Sequence, residues 1–214
     1  RKKWKKRPDN LTNRVFTFRF AQESTLNPEL HPAIVIAQYK ELDRVATAEP
    51  DMLAEISGKM RHAAVDMSDY PAVGDFVMID RNEGSQDHAI IHHTLTRKSV
   101  FIRKAAGKAH DVQVVAANID IVFICMSLNN DFNLRRLERY LAIAWDSGAT
   151  PVIVLTKADL CADNPEKLRE IETIAFGVDV LVTSSLSEDG YTAVLKYIPL
   201  GPTVIFIGSS VCGQ

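Results

Sequence analysis

Cysteine is scarce in this 214-residue chain: Cys125, Cys161 and Cys212 are far apart and odd in number. Their spacing fits neither a disulfide framework nor a pair of zinc ligands, and it suits a reducing compartment. Apolar runs of bilayer length are missing, and so is any apolar stretch behind the basic start of the kind a secretory leader carries. A cytoplasmic location without a membrane partner is therefore expected. No Gly-x-Gly-x-x-Gly follows the apolar strand 119–125, which argues against a dinucleotide oxidoreductase. Asp-x-x-Gly is absent throughout, and no phosphate loop runs on to its Lys and Ser/Thr. The initiator Met is missing too, so the visible start is read as non-native.

What remains can still build a core. Hydrophobic residues make up 46% of the chain against 24% charged, enough for one large domain or two small ones. The net charge of −2 hides an asymmetry, because six of the first seven residues are basic. Residues 8–214 carry 19 basic and 27 acidic side chains, a balance of −8. A basic arm on an acidic body suits contact with a phosphate backbone, and a solvated tail is the plain alternative. His92 and His93 are adjacent on a strand pattern and so point to opposite faces, which excludes a shared metal ion. No metal site is expected in this chain.

Two rhythms divide the chain. Residues 14–20, 33–39, 44–48, 52–57, 73–79 and 88–95 are short, partly alternating apolar segments with Gly, Pro and Asp between them. They read as the strands of a small barrel, of the oligonucleotide/oligosaccharide-binding (OB) type. From Ile119 onward strand and helix patterns alternate. Residues 119–125 form an unbroken apolar strand. Asn133 caps a helix with Leu134, Leu137, Leu141, Ala144 and Trp145 on its apolar face, ended by Gly148. Strand 152–155, helix 165–176, strand 178–182, helix 191–197 and strand 203–207 follow. Such alternation implies a parallel sheet with ligands at the strands' carboxyl ends.

Three segments sit at those ends. Thr156-Lys157-Ala158-Asp159 places a carboxylate where it can accept hydrogen bonds from the N1–H and exocyclic amine of guanine. Adenine lacks the N1–H and would leave the acid unpaired. The Lys157 stem can lie over the base plane with its ammonium in water. Thr156 keeps a hydroxyl at the first position. Ser184 and Ser185 follow the next strand, where the Ser185 N–H can reach the guanine carbonyl oxygen; a serine-rich helix cap is the plain alternative. Gly208-Ser209-Ser210-Val211-Cys212-Gly213 has the Gly-x-x-x-x-Gly spacing of a backbone anion nest for phosphates. Gln214 stands where a working loop has Lys, and Val211 occupies a position where a small residue lets backbone approach phosphate. Ala105-Ala106-Gly107-Lys108-Ala109 contains Gly-Lys but lacks the earlier Gly and the following hydroxyl, and is rejected. The base-reading segment thus precedes the phosphate loop, the reverse of the ordinary GTPase order. No catalytic residue is assigned.

With these residues in hand, the chain resembles the circularly permuted GTPases that assist assembly of the small ribosomal subunit, the RsgA or YjeQ family. The resemblance runs from about residue 30 to Gly208. It includes Gly58-Lys59-Met60-Arg61, Val73-Gly74-Asp75, the run from Leu95 to Arg103, the run from Gln113 to Asp120, and the run from Asn133 to Leu141. It implies a mixed fold: an amino-terminal all-β OB-type barrel followed by an α/β P-loop GTPase-like domain. The implied division is 1–29 basic arm and lead-in, 30–104 barrel, and 105–214 a partial permuted GTPase domain. The family's ligands would be GTP and GDP with Mg²⁺, and Zn²⁺ in a carboxyl-terminal domain absent here. Its partners would be the small (30S) subunit and its 16S rRNA, with hydrolysis accompanying release, and a monomer is expected. Val211, Cys212 and Gln214 depart from the family's continuation, so the chain is expected to be carboxyl-terminally incomplete and inactive by itself. A non-catalytic RNA-binding module with a vestigial nucleotide fold is the alternative.

Overall fold

A computed structural model describes residues 18–47, 51–81, 88–104, 112–129, 132–160, 164–186, 191–198 and 202–208. Two compact units divide the chain, Arg1–Asn118 and Ile119–Gln214. The sequence put the change of rhythm at 104/105. The boundary falls later because strand Val112–Ala117 pairs antiparallel with Val100–Lys104 and stays with the first unit.

In the first unit, helix α1 (Phe18–Ser24) precedes β1 (His31–Gln38), β2 (Asp43–Ala46) and β3 (Met52–Ile56). Helix α2 (Gly58–Ala63) then leads to β4 (Phe76–Ile79), β5 (Ala89–Thr94), β6 (Val100–Lys104) and β7 (Val112–Ala117). The first five strands close into a barrel in the order β1-β2-β3-β5-β4, with only the β3–β5 pairing parallel. This is the OB-type arrangement. Its interior is filled by Ala33, Val35, Val45, Ala54, Val77, Ile79, Ala89 and Ile91. Alanines are needed there because five strands leave little room for larger side chains.

Strand β4 is buried on both faces. Val77 and Ile79 point into the barrel, while Phe76 and Met78 pack with Phe20 of α1 and Leu95. The Phe20 and Phe76 rings lie 4.4 Å apart. This corrects the strand expected at 14–20: residues 14–17 lie outside the described residues, and Phe18–Ser24 is helical. The Phe-Thr-Phe-Arg-Phe alternation has the period of a strand, but tertiary packing decides. Phe20 fills the outer wall of β4, and the Glu23 carboxylate accepts from the backbone N–H and the hydroxyl of Thr96.

Charge is buried beside this wall. Asp75 is fully buried and accepts from Nε and Nη2 of Arg97, and from the backbone N–H of Ala72 at 2.7 Å. The same guanidinium donates to the carbonyls of Ser68 and Tyr70. Gly74, at φ +92°, must be glycine, since a Cβ there would sit 2.2 Å from the Ala117 carbonyl oxygen. Burial pushes the Asp75 carboxyl up, and the bonds and charge of Arg97 oppose it. Asp43 has no such cation. Burial raises it to about 6, a Gln38 hydrogen bond lowers it, and repulsion from Asp75 raises it further.

In the second unit β8 (Ile121–Ser127), α3 (Leu134–Asp146), β9 (Thr150–Thr156), α4 (Asn164–Ile174), β10 (Asp179–Val182), α5 (Thr192–Leu195) and β11 (Val204–Gly208) alternate. The sheet order is β10-β9-β8-β11, and every pairing is parallel. Phe123, Ile124, Ile153 and Leu155 are fully buried, as unbroken apolar strands of such a sheet require. The Asn133 side chain accepts from the Arg136 N–H to start α3, and Gly148, at φ +82°, follows its last turn. Leu137, Leu141 and Ala144 are buried as expected, but Trp145 is 55% exposed. At 3.6 residues per turn it lies about 80° round the helix from Leu137, past the edge of the apolar stripe.

The raised Asp43 gives a pH-dependent outcome. A carboxyl whose folded value exceeds its unfolded value makes the folded state bind the extra proton. Its ionisation therefore destabilises the barrel progressively from pH 3.8 to about 6. Asp43→Asn is expected to stabilise the fold at pH 7–8 by on the order of 1–2 kcal/mol. The gain should vanish near pH 4, as read by denaturant titrations at several pH values; a pH-independent gain would remove the ionisation argument.

Candidate functional site

All four strands of the second sheet run the same way, so their carboxyl ends lie on one rim. Ser127 of β8 pairs with Thr156 of β9, Val182 of β10 with Leu155, and Gly208 of β11 with Cys125 of β8. β9 and β11 are separated only by β8, about 10 Å at ordinary strand spacing. The Thr156 segment, the Ser184 segment and Gly208 therefore share an edge. Ser209, Ser210, Val211, Cys212 and Gly213 lie outside the described residues.

The Thr156–Asp159 segment is held by β10. Thr183 donates its N–H to the Leu155 carbonyl at 2.7 Å and its hydroxyl to the same oxygen at 3.0 Å. Ala158 N–H donates in turn to the Thr183 carbonyl at 3.2 Å. Between these pins Lys157 adopts φ +58°, a left-handed conformation that costs a non-glycine residue about 1–3 kcal/mol. The kink starts a short 3₁₀ turn, Ala158–Leu160, which leaves the Asp159 side chain exposed at the rim. There the Ser184 hydroxyl donates to Asp159 Oδ1 and accepts from the Leu186 N–H. Ser184 thus orients one carboxylate oxygen. Ser185 is exposed in the following turn.

Two features of the rim escape a reading of the sequence. The Oγ1 of Thr156 is buried and has no hydrogen-bond partner among the described residues. Lys167 of α4 donates to the Leu128 carbonyl at 2.7 Å, with its ammonium 5.2 Å from the Phe132 ring centre, and so braces the segment after β8. A lysine on a helix otherwise rich in charge carries no sequence signal of such a contact. Among the described residues no three His, Cys, Asp or Glu side chains converge as metal ligands, and no helix is long and apolar enough to cross a membrane.

A parallel sheet with a base-reading carboxylate motif and a glycine-led turn on one rim defines an α/β unit of the P-loop GTPase type. A model of the RsgA GTPase family matches residues 94–214, more than half of the chain, and the chain belongs to that family. It is 44% identical over 180 residues to the small ribosomal subunit biogenesis GTPase RsgA 2 of Lactiplantibacillus plantarum, covering 84% of this chain and 50% of that one. Against RsgA of Syntrophotalea carbinolica it is 40% identical over 197 residues, 90% of this chain and 54% of the relative. The chain thus spans about half the length of the curated relatives it matches. The fold is that of YjeQ from Thermotoga maritima (TM-score 0.67, 23% identity, 86% of this chain and 62% of that one). It is also that of YloQ, described as a circularly permuted GTPase (TM-score 0.62, 21% identity, 85% of this chain and 60% of that one).

Gly208 supplies a direct test of how tightly β11 meets β8. A Cβ at this position would lie 2.6 Å from the Cys125 carbonyl oxygen, a backbone atom with no room to yield. Gly208→Ala is expected to lower stability by about 2 kcal/mol, by the cost of overpacking. An unchanged thermal midpoint would show the two strands to be less closely apposed.

Proposed function

We propose that the whole protein is a guanine-nucleotide-binding GTPase acting in assembly of the small ribosomal subunit, with this chain supplying its barrel and base-reading half. The observation that carries the reading is the Asp159 carboxylate, oriented by Ser184 on the same rim that Gly208 reaches. Asp159 accepts from guanine N1–H and the 2-amino group, the Lys157 stem covers the base, and the Ser185 N–H meets the base carbonyl. The turn beginning at Gly208 provides backbone N–H groups for the phosphates, with Ser209, Ser210 and Gly213 as its polar and small members. Mg²⁺ bound with the nucleotide would neutralise phosphate charge. Its ligands and the zinc ligands fall outside the described residues, so no step is assigned to them. The barrel, and the basic arm before it, would contact 16S rRNA within the 30S subunit, the nature of partner carried by the relatives' names.

Calorimetric titration of the full-length protein with GDP and ADP tests this. GDP is expected to bind at least a hundredfold more tightly, because ADP leaves the carboxylate unpaired. Asp159→Asn should lose GDP affinity by a similar factor and gain affinity for xanthosine diphosphate, whose 2-carbonyl accepts from the new amide. Ser184→Ala should weaken GDP several-fold while leaving the Mg²⁺ dependence unaltered. Equal affinity for ADP and GDP would overturn the assignment.

A further inference from the structure

The barrel carries a cleft that neither its core nor the nucleotide rim explains. It lies between the turn joining β1 to β2 and the α2 segment, with a volume of about 380 Å³. That is within the range of small-ligand clefts, and suits one nucleotide better than a duplex. Tyr39, 58% exposed, and Met67, 59% exposed, line it and leave apolar surface uncovered. Lys40 and Arg61 bring two cations, and among the described residues neither enters an ion pair. Glu41 is the one exposed acid of the lining, and Asp43, 95% buried, is the other carboxylate.

This combination selects its ligand. A cationic peptide could meet Asp43 but would be repelled by Lys40 and Arg61. A simple anion would suit the cations but not the buried carboxylate. An unstacked nucleotide satisfies all of them: a flat ring for the tyrosine, an exocyclic amine for the acid and phosphates for the cations. We propose that this cleft holds one unstacked base of single-stranded RNA, with Tyr39 as the stacking face and Asp43 accepting from the exocyclic amine of adenine, cytosine or guanine. Lys40 and Arg61 meet the flanking phosphates. The inference rests on the reading that the barrel contacts ribosomal RNA, and it names the place and the chemistry of that contact.

Fluorescence anisotropy on the full-length protein tests it with oligo(A), oligo(C) and oligo(U) about ten nucleotides long, the span of an OB-type site. Oligo(A) and oligo(C) are expected to bind about tenfold more tightly than oligo(U), which has no exocyclic amine. Tyr39→Ala should weaken all three about tenfold, the usual loss of one stacked base. Asp43→Asn should level the preference among them, and GDP binding should be unchanged in both variants. If oligo(U) binds as well as oligo(C), or if Tyr39→Ala leaves RNA affinity intact, the cleft proposal falls while the GTPase reading stands. If the protein distinguishes GDP from ADP but binds no RNA, the ribosomal part of that reading falls with it. Asp43-dependent binding of an oligolysine peptide in place of RNA would make the cleft a protein site and overturn the proposal.

Discussion

Parallel pairing is the constraint on which the nucleotide unit depends. Four strands running one way must release their following segments at one edge, whatever the order in which the chain visits them. β9, β10 and β11 are separated by helices, yet Asp159, Ser184 and Gly208 are brought to a common rim by register alone. The same property explains why a reversed motif order is physically harmless. A sheet does not record which strand came first in the chain, so a base-reading strand can precede the phosphate-loop strand and leave the site geometry unchanged.

The platform and the rim are stabilised by different forces. Phe123, Ile124, Ile153 and Leu155 are buried in the sheet core, each contributing roughly 1.5–3 kcal/mol by burial. The segments above them are held by a few polar contacts: Thr183 to Leu155, Ala158 to Thr183, Ser184 to Asp159 and Lys167 to Leu128. Lys157 in its left-handed conformation is strained, and the Thr183 bonds on either side fix it there. A rim built in this way keeps its side chains aimed without large apolar burial, which would otherwise close the edge to a ligand.

Sequence reading recovered most of the platform and part of the rim, for physical reasons that differ element by element. β8 and β9 declare themselves by unbroken apolar character, and α3 by an Asn cap, a three- and four-residue apolar step and a terminal glycine. α1 misleads because its phenylalanines alternate, and only the position of Phe20 against Phe76 selects the helix. The β6–β7 hairpin and the short α2 carry no strong turn or period and are set by tertiary contacts. At the rim, the fourth-position carboxylate of the Thr156 segment is legible from its place after a strand. The Thr183 pin and the Lys167 brace are not, because both join residues distant in sequence through contacts that no spacing rule encodes.

Two buried carboxylates and one guanidinium make the barrel's wall electrostatically unbalanced. Arg97 closes on Asp75 and on two carbonyls, and that set is complete in itself. Asp43, one strand register from Gln38 and within reach of the charge on Asp75, receives only an amide and is raised to about 6. Folding gains nothing from an ionised group there, since an amide of equal size would fill the space without the desolvation cost. Local rules are most often broken in a protein where function requires it. Asp43 breaks one beside Tyr39, Lys40 and Arg61, whereas the equally buried Asp75, fully paired, lines no cleft. The contrast between these two acids, one satisfied and one held unsatisfied at an open floor, is the physical ground for reading the cleft as a binding surface rather than a packing defect.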